Sequence, residues 1–124
     1  MKHVIRWLLV ILFVGLGLLY LNSSASSAWV SGGPPGAYSH AWTQRALVHF
    51  GYAVSCMVSA VMIFVALGKN FSLGASRFKY VWVIIVLVSL LSPHLRAFLL
   101  VDKCLDSGGV WDNSRFECRY DPAR

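Results

Sequence analysis

Two groups of residues in this chain have types and spacings that could do chemistry. The first is CLDSGGVWDNSRFEC, Cys104 to Cys118. Two cysteines around a turn-rich stretch either bond to each other or bind a metal. Zinc takes about four N or S ligands, and no histidine pair lies near these two. A Cys104–Cys118 disulfide is therefore expected and a metal is not. In the chain-entropy model, closing a loop of this length contributes about 3 kcal/mol. Gly108-Gly109 and Asp112-Asn113-Ser114 supply turn chemistry. Val110-Trp111 and Phe116-Glu117 are placed to pair as a minimal hairpin. Cys56 sits in an apolar run and reads as a small packing residue.

The second group follows helical spacing. Arg45, His49, Tyr52, Cys56 and Ser59 recur at intervals of 4, 3, 4 and 3, which places them on one helix face. Beside them Gly51, Ser55 and Ser59 form a small-xxx-small ridge, a surface suited to close helix packing in lipid. Further along, Ser89, Ser92 and Arg96 share a face. Ionisable groups inside a membrane are costly and mark functional sites, so Arg45, His49, Tyr52 and Arg96 are read as a polar patch between helices. The plainer alternative has both arginines snorkelling outward and the histidine rings anchoring at the interface. Pro93 cannot donate to the carbonyl of Ser89 and leaves it without its helical partner. Gly15-x-Gly17 marks a flexible or closely packed spot. His49 and His94 lie at depths that make a haem pair conceivable. His94 falls on a different face from Ser92 and Arg96, however, and no cofactor is expected.

Catalytic machinery is not visible. No nucleophile–base spacing, zinc-protease motif, phosphate-binding glycine loop or dinucleotide fingerprint occurs. Residues 1–101 contain no Asp or Glu, so no carboxylate relay can run through the apolar segments. An enzyme is not expected.

The elements that must position these residues are three apolar runs. Trp7–Leu21 carries no charge, and Val4 and Ile5 extend it, with Arg6 snorkelling to the headgroups. Ala46–Leu67 has no Lys, Arg, Asp or Glu. Tyr80–Val101 is interrupted only by Pro93, His94 and Arg96. About 20 apolar residues cross the hydrocarbon as a helix. The chain is 13% charged and 57% hydrophobic, too few charges to cover a soluble surface. The expected fold is an all-α membrane protein with three transmembrane helices, at about 4–21, 46–67 and 80–101. Residues 1–101 form the transmembrane domain, and 102–124 form a small disulfide-closed extracytoplasmic tail. The segment 22–45, rich in Ser and Gly with a Pro-Pro pair, reads as coil. Its Trp29, Tyr38 and Trp42 suit a membrane–water interface.

Charge sets the expected orientation. Lys2 and Arg6 precede the first run, and Lys69, Arg77 and Lys79 sit between the second and third, whereas 22–44 has no Lys or Arg. Basic loops stay cytoplasmic, so the N-terminus is expected inside and the C-terminus outside, in an oxidising compartment where a disulfide persists. The tail's five acids against Lys103, Arg115, Arg119 and Arg124 make it −1, while the whole chain is +6. That excess is a topology signal, and nucleic-acid binding is not expected. A rival reading takes MKHVIR, the first apolar run and NSSASSA as a secretory signal, with Ser26 and Ala28 at the −3 and −1 positions. A retained anchor is the expectation here.

The pattern Cys-Leu-Asp-x-Gly-Gly-x-Trp-Asp with a second Cys, Cys104 to Cys118, resembles the ends of small exported or membrane proteins of Gram-negative bacteria. Some of those resemble immunity proteins encoded beside secreted toxins. The size and three-span layout are similar to membrane immunity proteins against pore-forming bacteriocins. The resemblance implies an inner-membrane protein with a periplasmic C-terminus. It would bind a membrane-inserting toxin by lateral helix packing and block the conducting assembly. Arg45, His49, Gly51, Tyr52, Ser55, Ser59 and Arg96 are the partner-binding candidates in the helices. Trp111 is the candidate in a tail that docks the toxin or braces the third helix. The alternative is a small accessory subunit of a transport or respiratory complex. A membrane enzyme using His40, His49 or His94 ranks third.

Overall fold

The computed structural model describes residues 1–34, 36, 38–68 and 76–120. Lys69, most of the basic link to the third run and Asp121–Arg124 lie outside the described residues. Three long helices and a two-stranded hairpin follow in chain order. They are α1 (Lys2–Ser31), α2 (Ser39–Ala66), α3 (Ser76–Asp106), β1 (Val110–Asp112) and β2 (Glu117–Arg119). All three helices are long and apolar enough to cross a membrane.

The helices overrun the expected spans. Much of segment 22–45, expected to be coil, is helical, and only the stretch between Ser31 and Ser39 lies outside the helices. Helix α1 continues through Asn22–Ser31, and α2 already begins at Ser39. At 1.5 Å per residue, α1 rises about 45 Å against a hydrocarbon core of about 30 Å. The Ser/Ala run stays helical for two reasons. Ser26 and Ser27 donate their hydroxyls back to the Ser23 carbonyl, so they need no other partner. Their small side chains also let α2 approach. Ser24 Oγ donates to the Ala46 carbonyl of α2 at 2.8 Å, and Ser24 and Ser27 are buried. Gly32 and Gly33 close the last turn through Ala28 and Val30, and Pro34 follows where a helix cannot continue.

Helices α1 and α2 form an antiparallel pair. From one end to the other, Trp7 meets Phe64 edge-on at 5.6 Å, Gly17 lies against Met57 and Tyr20 packs on Tyr52. Ser24 reaches Ala46 at the far end. The Arg6 guanidinium stacks 3.8 Å over the Phe64 ring, so it packs on protein where the sequence suggested snorkelling. The α2 stripe along this seam contains Ala46, Ala53 and Ala60, all buried, at seven-residue intervals. Small residues at such spacing allow close backbones, the main source of helix affinity where lipid gives no hydrophobic drive.

Helix α3 packs on another face of α2. The central helix therefore buries 28% of its spanning window and its two neighbours 6% each. The outward faces of α1 and α3 are rows of exposed Leu, Ile and Val, as expected of helices solvated by acyl chains.

Candidate functional site

Three local structures bring the chemically capable side chains together, and they divide the residues differently from the sequence pattern.

The first lies in the α2–α3 seam. Gly51 is buried, and a Cβ there would run into the carbonyl oxygen of Ser89, with Pro93 Cγ at 3.8 Å. This is the carbonyl that Pro93 deprives of its helical donor. A glycine thus rides over the spot where the backbone is least satisfied. Ser55 is buried beside it and returns its hydroxyl to the Gly51 carbonyl at 2.9 Å. Gly51, the head of the small-residue ridge, is consequently used for packing inside the chain. Ser59, further along, is half-exposed. About two turns nearer the start of α2, buried Gln44 bridges the helices. Its Nε2 donates to the Pro93 carbonyl at 2.6 Å, and its Oε1 accepts from Arg96 Nη1 at 2.7 Å. Hydrogen bonds to a charged group contribute about 1.5–3 kcal/mol. Gln44 escaped the sequence reading because the segment around it looked like coil.

The second lies on the α1–α2 pair, toward its α1–α2 loop end. His49 stacks on Tyr20 at 6.1 Å, Tyr52 packs on Tyr20 at 5.3 Å, and His49 meets Tyr52 edge-on at 6.5 Å. His49 Nδ1 lies 2.8 Å from the Arg45 carbonyl. A carbonyl only accepts, so Nδ1 carries a proton and donates to it. Arg45 is exposed and reaches over the Trp42 ring at 5.3 Å. The four-residue patch of the sequence reading is therefore split. Arg45, His49 and Tyr52 belong to an edge with Tyr20, while Arg96 belongs to the α2–α3 seam with Gln44. Helical spacing alone could not show this, because it places residues on a face without saying which neighbour that face meets. His94 is exposed on α3, and among the described residues no three His, Cys, Asp or Glu side chains are grouped to hold a metal.

The third is the C-terminal hairpin, and it explains the cysteine motif residue by residue. Gly108 adopts φ +75°. Its N–H bonds to the Leu105 carbonyl and that of Gly109 to the Cys104 carbonyl, each at 3.0 Å. These two bonds make a Schellman cap, so the glycine pair ends α3. Cys104, 3% exposed, sits in the capped turn and bonds to Cys118. A Cβ on Gly109 would collide with Cys118 Sγ and come within 3.0 Å of Cys104 Sγ. The first glycine is thus required by backbone conformation and the second by the space the cystine occupies.

The strands pair Val110 with Arg119, Trp111 with Cys118 and Asp112 with Glu117. Phe116 was expected in a strand. It is instead the last loop residue, at φ +57°, and its N–H bonds to the Asp112 carbonyl at 2.8 Å. The Asp112 carboxylate accepts from the Ser114 hydroxyl, the Ser114 N–H and the Arg115 N–H. These bonds, the Ser114 hydroxyl foremost, hold its pKa below the usual carboxylate value. Trp111 packs edge-on against Phe116 at 5.1 Å and donates its indole N–H to Asn113 at 3.0 Å. Its ring also flanks a recess between the hairpin, the start of α2 and the end of α3.

Comparison with protein-family models, with curated proteins and with solved structures returned no match.

Proposed function

We propose that this chain is an immunity-type protein of a bacterial inner membrane, which binds a membrane-inserting, pore-forming toxin and prevents its helices from assembling. The proposed orientation has the N-terminus in the cytoplasm and the hairpin in the periplasm. Lys2, Arg6, Arg77 and Lys79 against the Lys/Arg-free stretch 22–44 support that orientation. A cystine in the hairpin suits the oxidising side.

One observation carries the binding role. The outer edge of the α1–α2 pair presents Tyr20, His49, Tyr52 and Arg45 where α3 does not cover them. An aromatic and cationic edge can hydrogen-bond and stack on a neighbouring helix, and in lipid such contacts supply the affinity that apolar surface cannot. Gly51 packs against α3, so the toxin would meet this edge and the open apolar face of α1.

The test is co-expression with a membrane-acting toxin encoded beside this gene while membrane potential is followed. Protected cells keep their potential. A His49→Ala/Tyr52→Ala double variant, present in the membrane at normal level, should lose much of that protection. Equal depolarisation with and without the unaltered protein would end the toxin reading.

A further inference from the structure

We infer that the α2–α3 face is a binding site for an anionic phospholipid, with the headgroup phosphate held between Arg96 and Lys103 and an acyl chain laid along the groove beside Gly51 and Pro93. On α3 and the residue that follows it, Arg96, Leu100, Lys103 and Ser107 recur at intervals of 4, 3 and 4, so they form one stripe. That stripe floors the recess under the hairpin, about 570 Å³, which His40 and Trp111 also flank. Below it lies a groove of about 310 Å³ walled by Leu47, Phe50, Val54 and Val88. Arg96 borders both. A recess bordered by two cations thus adjoins a groove that is almost wholly apolar in the spanning region, and the two parts differ in chemistry as the two ends of a lipid do.

Gln44 holds Arg96 through one N–H at 2.7 Å. A guanidinium has five N–H donors, so the remaining ones can meet a phosphate without losing that anchor. Lys103 lies two helical turns outward, about 10 Å along the axis, leaving a span that a phosphate and its ester oxygens can bridge. Glu117 also lines the recess, and Arg115 faces it at 3.7 Å. Two cations against one carboxylate favour a headgroup with no cation of its own. A choline ammonium would stand close to Lys103. The apolar channel selects an ester with a chain over free phosphate. A partner helix, about 10–12 Å across with its side chains, does not fit the groove.

The experiment uses the full chain, purified in detergent and delipidated. It compares retention of phosphatidylglycerol, phosphatidylcholine with the same chains, and inorganic phosphate by native mass spectrometry. Phosphatidylglycerol should be retained several-fold better than phosphatidylcholine. Exposed Lys103→Gln should remove most of that preference, and Val88→Trp, which fills the groove, should lower retention of both lipids. Unchanged helical circular dichroism and an intact disulfide establish that each variant is folded. Equal phosphatidylglycerol retention by the unaltered chain and by folded Lys103→Gln would overturn the assignment. So would unaltered retention in Val88→Trp, or displacement of lipid by inorganic phosphate. The site shares no residue with the Tyr20–His49–Tyr52 edge, so lipid retention and toxin protection can fail independently.

Discussion

Two adjacent glycines in the tail answer to different physical demands, and substitution should separate them. Gly108 has nothing near its absent Cβ but holds φ +75°. Alanine there should cost about 1–2 kcal/mol of hairpin stability, and asparagine less, because it tolerates this backbone region. Gly109→Ala instead places a methyl against the cystine, and relief requires moving Cys118. Overpacking of this kind costs typically 1–3 kcal/mol. Thiol labelling without reductant reads the difference: Gly109→Ala should expose free cysteines that Gly108→Asn does not. Asp112 adds a pH signature. Its folded pKa lies below the ordinary value, so its contribution is fully present above the unfolded pKa of about 3.9. That contribution is lost as pH falls through the lower folded value. An NMR titration of the tail should place the Asp112 midpoint below that of a free aspartate, and Ser114→Ala should move it upward. The ion pairs of Arg115 with Glu117 and Arg119 with Asp112, at 3.7 and 3.8 Å on the surface, are expected to contribute little.

Among the helices, the glycines rank themselves by what lies beside them. Gly15 has open space around it and Gly17 faces the flexible Met57 side chain, whereas Gly51 faces backbone. Gly15→Ala should be neutral or slightly stabilising, since alanine favours helix by up to about 1 kcal/mol. Gly17→Ala should be tolerated by movement of Met57. Gly51→Ala must part α2 from α3 and should cost about 1–3 kcal/mol, seen as a lower melting temperature in detergent. Gln44→Leu tests the polar bridge from the other side. It keeps the bulk but strands the Arg96 donor, so a loss of about 1–3 kcal/mol is expected. Restoring a side-chain amide with Gln44→Asn should recover little, because its shorter reach cannot span both Pro93 and Arg96.

For the molecule as a whole, α2 is the common support and the hairpin an appendage stapled to the end of α3. Reduction of Cys104–Cys118 should therefore loosen the tail while helical circular dichroism stays nearly constant. The α1 seam bears on processing. Cleavage after Ala28 would strip α2 of the helix that covers Ala46, Ala53 and Ala60, so intact mass of the purified protein should include residues 1–28.

Hydropathy alone determined that the chain has three apolar helices, because the cost of unsatisfied backbone in hydrocarbon is a local property of each segment. The Cys104–Cys118 bond was legible for a similar reason: two cysteines in a short, turn-rich stretch leave few other partners. Helix ends were less legible. Ser23–Ser27 resembles coil in composition and is helical because α2 packs on it. Only tertiary structure decided which faces meet: Ser24 with Ala46, Gln44 with Pro93 and Arg96, Gly51 with Ser89. In water, an apolar stripe announces the buried side of a helix. In lipid the covered and the solvated faces are both apolar, so selection rests on close backbone approach and a few hydrogen bonds between residues far apart in sequence.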